Sequence, residues 1–241
     1  MRQEANAGIC VTQGKAVNAL TKKALLRLLW FQAVLAVLLF LPAWSLRFWE
    51  AWVYWVIFSA SALCITLYFL KHDPALIERR MTAGPGAEQE KSQKIIQALA
   101  SVLVCAIFIV PGVDHRLHWS SVPTPVVVLA DVLVVAGFLT VFRVFQENSY
   151  AAGTVRVEAH QQVITTGPYQ CVRHPMYAGA MLLFLATPLA LGSWWTLPLA
   201  LALGGVIVAR LREEEEYLSK NLPGYDAYRQ KVQERLIPYI W

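Results

Sequence analysis

Four apolar runs, near residues 25–46, 49–70, 95–113 and 124–145, decide what kind of solvent this chain folds in. Each approaches the roughly 20 residues that an α-helix needs to cross about 30 Å of hydrocarbon. Soluble domains usually carry about 25% charged residues, whereas here Asp, Glu, Lys and Arg make up 15% and hydrophobic residues 57%. That balance argues against a disordered chain, a coiled coil and an ordinary soluble enzyme. It also argues against a nucleic-acid binder, despite a net charge of +5. The expected fold is an all-α integral membrane protein.

A fifth apolar block, 175–211, is too long for one span. Near its middle it reads Leu191-Gly192-Ser193-Trp194-Trp195, a small-residue turn followed by interfacial aromatics, so it splits into a helical hairpin. The expectation is about six transmembrane helices (five to six), the last two a hairpin, followed by a cytoplasmic C-terminal helix. A re-entrant hairpin is the rival reading, since each arm is short. The chain divides into 1–146, an N-terminal tail with four helices, and 147–241, which holds the polar motifs and the hairpin. Six spans put both termini on one side, and the charges agree. Nineteen Lys and Arg residues fall on that side, against Arg47 and Arg116 on the other. The positive-inside rule then makes the termini cytoplasmic, in a bacterial inner membrane or its equivalent. The basic N-terminal tail is too long, and the apolar run after it too extended, for a cleaved signal peptide. Cys10, Cys64, Cys105 and Cys171 lack metal or redox spacing, so neither a zinc site nor a disulfide framework is expected.

Three cytoplasmic stretches separate the spans. Residues 71–94, with Gly84-Pro85-Gly86, read as a connector, and 146–174 alternate at Val155-Arg156-Val157-Glu158. In Arg173-His174-Pro175, the residue before proline is pushed toward extended backbone, while proline suits the first helical position. His174 therefore stands at the start of the fifth helix, whose N-terminus favours a carboxylate or phosphate. With a turn near Ser193, antiparallel arms bring Arg173 and His174 level with Arg210 to Glu215. Arg210 and Glu214 lie i, i+4 on one helix face. An Arg and a His at the headgroup level, and a solvated glutamate face, are the bland alternatives. The functional reading is a polar cluster where a cytosolic molecule meets a lipid chain.

At these residues the sequence resembles the isoprenylcysteine carboxyl methyltransferase family, related to membrane phospholipid methyltransferases. The motifs are Gly167-Pro168-Tyr169, Arg173-His174-Pro175-Met176-Tyr177-Ala178-Gly179, Glu214-Glu215-x-x-Leu218 with later tyrosines, and Arg235-Leu236-Ile237-Pro238. The resemblance implies S-adenosylmethionine as methyl donor and a lipidic or prenylated acceptor, with no metal and no nucleic acid. It assigns Tyr169, His174, Pro175, Met176, Tyr177, Glu214 and Glu215 to the cofactor, with Val163 and Ile164 as a strand-like segment over it. Arg210 and Arg173 fall to the acceptor and catalysis. Gln161 stands where the family expects histidine, and Leu222-Pro223-Gly224-Tyr225-Asp226 replaces the common Phe-Gly-Glu-Glu-Tyr. Carboxyl O-methylation is the favoured chemistry, with phospholipid or amine N-methylation and thiol S-methylation as alternatives. A transporter or membrane binding protein is a further alternative, supported by Asp131 within the fourth span.

Overall fold

The computed structural model describes residues 2–81, 86, 88, 90–151, 153–154, 157 and 161–241, with side chains from residue 18 onward. Gly84 and Pro85 of the connector, and Val155, Arg156 and Glu158 of the alternating stretch, lie outside the described residues. The helices run α1 (Arg2–Ala43), α2 (Trp49–His72), α3 (Pro74–Met81), α4 (Lys91–Leu117), α5 (Thr124–Glu147), α6 (Pro175–Ala190), α7 (Leu197–Asn221) and α8 (Tyr225–Lys231). A 3-10 turn at Gly167–Gln170 precedes α6. Among the described residues there is no strand. The strand-like stretch expected at Val163 and Ile164 therefore has no regular secondary structure, because no neighbouring strand is there to pair with it.

The segments Asn18–Ala43, Trp49–His72, Lys91–Leu117 and Thr124–Glu147 are long and apolar enough to cross a membrane by length and composition. Trp30, Val56, Ile95, Val102, Leu129 and Leu139 on these helices are exposed, as lipid-facing side chains must be. The opposite faces bury Leu35, Leu39, Tyr54, Phe58, Phe108, Val134 and Leu183 in one cluster. Local chemistry sets the breaks between helices. Asp73 ends α2, and its Oδ1 accepts the Leu76 N–H at 3.1 Å, which caps α3 at the Asp73-Pro74 step.

Small residues let α5 and α6 pack closely. A Cβ on Gly137 would stand 2.9 Å from both the Gly179 carbonyl oxygen and Leu183 Cβ, so only glycine permits this approach. Without a hydrophobic drive between helices in lipid, such contact is the main source of association. Asp131 of α5 is also buried here, beside Tyr54. Its Oδ1 has no hydrogen-bond partner among the described residues. The Tyr54 and Thr187 hydroxyls pair at 2.9 Å across α2 and α6.

The hairpin turns where the sequence predicts. α6 ends at Ala190, Gly192 takes φ +70°, and the Ser193 N–H returns to the Pro188 carbonyl at 2.9 Å. Ser193 Oγ donates to Asp114 Oδ2 at 2.5 Å, and the Ser120 N–H donates to Asp114 Oδ1 at 2.8 Å. The tip of the hairpin is thus clasped to the end of α4. α6 is a 16-residue apolar helix, shorter than the four candidate spans, while α7 continues past its apolar part through Glu213–Glu216 to Asn221. The antiparallel arms bring the start of α6 and the polar half of α7 to the same end of the bundle.

Candidate functional site

At that end, proline chemistry places the first group. Pro175 opens α6, and His174 before it takes φ −124° and ψ 61° as the capping residue. The Arg173 and His174 N–H groups donate to the Glu234 and Arg235 carbonyls, each at 2.9 Å. The C-terminal segment therefore lies along the helix start. Arg173 Nη1 donates to the Val232 and Gln233 carbonyls at 2.9 and 2.7 Å, while its Nε donates to Glu215 Oε1 at 2.6 Å. Glu215 also meets His174 Nε2 at 3.3 Å and receives Arg235 Nε on Oε2 at 2.9 Å. Arg173, His174 and Glu215 are all buried. Burial alone would raise the Glu215 carboxyl, but the bonds from His174, Arg173 and Arg235 outweigh it and hold the group well below the usual carboxylate range.

One residue earlier on α7 the helix face has turned, and Glu214 is in different company. The Tyr177 hydroxyl donates to Glu214 Oε2 at 2.5 Å, and Arg210 Nε donates to that hydroxyl at 3.1 Å. Arg210 also bonds Gln97 Oε1 and Glu88 Oε1, both at 2.6 Å, and the Gly153 carbonyl at 3.1 Å. It thus joins α4, α6 and α7 to two connecting segments. Glu213 Oε2 accepts from Gln93 Nε2 at 2.8 Å, and Glu216 is exposed. Four consecutive glutamates occupy four different environments.

Arg173, His174, Tyr177 and Glu214 border a pocket between the 161–164 segment, the 3-10 turn, the start of α6, α7 and α8. The turn depends on Gly167, at φ +56°, where a Cβ would lie 2.5 Å from Glu147 Cγ. Thr166 Oγ1 donates to Glu147 Oε2 at 2.6 Å and fixes the same corner. Tyr169 is then held at both ends. Its hydroxyl accepts from Asn148 Nδ2 at 2.7 Å, and its carbonyl accepts the Tyr228 hydroxyl at 2.7 Å. Burial pushes the Tyr169 phenol up to about 12, with the Asn148 bond opposing that rise.

The pocket wall includes Val163, Ile164, Tyr169, His174, Pro175, Met176, Tyr177 and Glu214, the residues assigned from the sequence to a cofactor. Arg173 reaches its edge, but its guanidinium is committed to Glu215 and the C-terminal carbonyls. Glu215 and Arg210 are not on the wall: Glu215 lies behind it with Arg173, and Arg210 lies behind Tyr177. Asn148, Leu218, Leu222, Tyr225 and Tyr228 also line the pocket; Leu218 and the tyrosines stand in the motifs quoted above, but none of the five was assigned to the site from the sequence. Tyr225 and Tyr228, three apart after the Pro223-Gly224 turn, carried a usable signal. Glu88 and Gln97 carried none, being more than 110 residues from the Arg210 they bind.

The donor set suits a ligand that is cationic at one end and flat and apolar at another. Glu214 offers a carboxylate, the first turn of α6 a positive helix end, and Val163, Leu218 and Leu222 an apolar wall. A family model described as phospholipid methyltransferase matches residues 125–223, which run from α5 through the pocket to the end of α7. The chain is also similar to protein-S-isoprenylcysteine O-methyltransferase B of Arabidopsis thaliana. The two are 28% identical over 150 residues, covering 59% of this chain and 72% of the relative.

Proposed function

We propose that this chain, a membrane methyltransferase of the isoprenylcysteine carboxyl methyltransferase and phospholipid methyltransferase family, moves a methyl group from S-adenosylmethionine to a lipidic or prenylated acceptor, with a carboxylate as the favoured acceptor group. The observation that carries this reading is the pocket itself. It lies where the start of α6 meets the charged half of α7, at one end of a helical bundle whose outer surface suits lipid. The residues fit the donor: Glu214 matches an ammonium or ribose hydroxyls, the start of α6 matches a carboxylate, and the Val163–Leu218–Leu222 wall matches a base. S-adenosylmethionine supplies an already activated methyl group, so the protein's task is alignment and exclusion of water. A carboxylate nucleophile needs no general base, and His174 serves as a ligand and anchor through Glu215.

Each polar residue then has a task. Glu214 binds, while Tyr177 donates to it and fixes its rotamer. Arg173, His174, Glu215 and Arg235 lock the C-terminal segment against the start of α6, which closes one side of the pocket. Arg210 holds Tyr177 and the segments at Glu88 and Gly153, making it a positioning residue behind the Tyr177–Glu214 pair. A lysine has one compact ammonium and cannot reproduce a guanidinium that donates to four groups at once. Arg210→Lys therefore weakens affinity for S-adenosylhomocysteine and lowers kcat/KM in parallel, each by about tenfold. A fall in kcat/KM with unchanged donor affinity would place Arg210 on the acceptor side instead.

The experiment for the reaction uses membranes containing the full chain, methyl-labelled S-adenosylmethionine and a lipid extract. Label enters the lipid phase and leaves as methanol on mild alkaline treatment if a carboxyl ester forms. Alkali-stable label points to nitrogen or sulfur as acceptor, and no transfer contradicts the reading. The orientation has its own test. With 19 basic residues on one side and two on the other, reporter fusions to both termini report the cytoplasm. A reporter at the C-terminus that is active outside would reverse the pocket's orientation.

A further inference from the structure

Tyr225 opens α8 directly after Gly224, whose φ of +87° swings the chain back from the end of α7. Its ring packs with Leu222 and Tyr228 and lines the pocket. The residue is 4% exposed, and its hydroxyl is shut off from solvent without a hydrogen-bond partner among the described residues. The polar groups nearby are committed elsewhere. Both Glu215 oxygens serve Arg173, His174 and Arg235, Glu214 Oε2 serves Tyr177, and the Tyr228 hydroxyl is bound to the Tyr169 carbonyl. Burial first, then the charges of Glu215 and Glu214, push the phenol well above its ordinary value, so the oxygen keeps its proton and is available as a donor.

A buried hydroxyl that satisfies nothing is uncommon in a folded protein, because it has given up its bonds to water for no return. This one sits on the wall of the pocket read above as the donor site. We propose that Tyr225 is a donor-binding residue, whose hydroxyl donates to a hydrogen-bond acceptor on the S-adenosyl compound held there. The acceptor belongs either to the nucleoside or to the carboxylate of the amino-acid part. The inference rests on the methyltransferase reading of the pocket and adds to it a contact from α8, which lies beyond the residues matched by the family model.

The test compares the purified full chain with Tyr225→Phe, titrated with S-adenosylhomocysteine and with methylthioadenosine, which has the nucleoside but lacks the amino-acid part. The hydroxyl makes no bond among the described residues, so the ligand-free melting midpoint of Tyr225→Phe matches that of the wild type. The Kd for S-adenosylhomocysteine rises roughly tenfold. An equal loss with methylthioadenosine places the contact on the nucleoside, and a loss with S-adenosylhomocysteine alone places it on the amino-acid carboxylate. Unchanged affinity in Tyr225→Phe, or a lowered ligand-free midpoint, overturns the assignment while leaving the methyltransferase reading intact. A wild-type chain that binds neither compound overturns both.

Discussion

Replacing Glu215 with alanine destabilises the protein by about 3–5 kcal/mol, the cost of removing one partner from a buried ion pair. Its carboxylate is the sole acidic group ion-paired with Arg173 among the described residues, and both side chains are 5% exposed. Without it the guanidinium keeps only the Val232 and Gln233 carbonyls, and Arg235 and His174 lose their contacts with the same group. The start of α6, the C-terminal segment and α7 would then come apart together. Glu215→Gln isolates the charge from the packing and should cost less than alanine. The dependence on pH follows from the depressed carboxyl. A group held below its unfolded value, ordinarily about 4.3 for glutamate, stabilises the fold above that value. The contribution drains away as pH falls through and below it toward the folded value. Unfolding in detergent should therefore show a gap between wild type and Glu215→Gln that is constant near neutral pH and narrows below about pH 5. A gap that ignores pH would mean that Glu215 contributes shape and not charge.

How much of this could be read beforehand differs between the frame and the site. The spans were legible because lipid demands a uniform apolar run, a signal that needs no partner to interpret. The hairpin turn and the start of α6 were legible because Gly192 and Pro175 restrict the backbone locally. The glutamate run was legible only as a place. Periodicity puts Arg210 and Glu214 on one face but does not say what stands between them. In the structure, Tyr177 stands between them, and Arg210 pairs with Glu88. Nothing local announces Glu88, Gln97 or Gln93, because their contacts exist only after α4 and the segment before it pack against α7. Nor does sequence separate Glu214, which faces the pocket, from Glu215, which faces the Arg173 cluster. That distinction comes from the crossing of α6 and α7, and with it the division between a ligand-facing carboxylate and a structural one.

The same division yields the sharpest expectation for binding. Glu214 is half-buried on the pocket wall, with one oxygen engaged by the Tyr177 hydroxyl. Its charge is thus available to a cationic or hydroxyl-bearing ligand, and a hydrogen bond to a charged group contributes about 1.5–3 kcal/mol. Glu216 is exposed, and Glu213 is turned to Gln93 on α4. Neither has a route to the pocket. The measurement that decides the matter is calorimetric titration of S-adenosylhomocysteine into the purified wild type, Glu214→Ala, Glu213→Ala and Glu216→Ala. The account predicts binding to the wild type, a loss of about 1.5–3 kcal/mol in Glu214→Ala, and changes under about 0.5 kcal/mol in the other two. No binding by the wild type, or equal losses across all three variants, would contradict it.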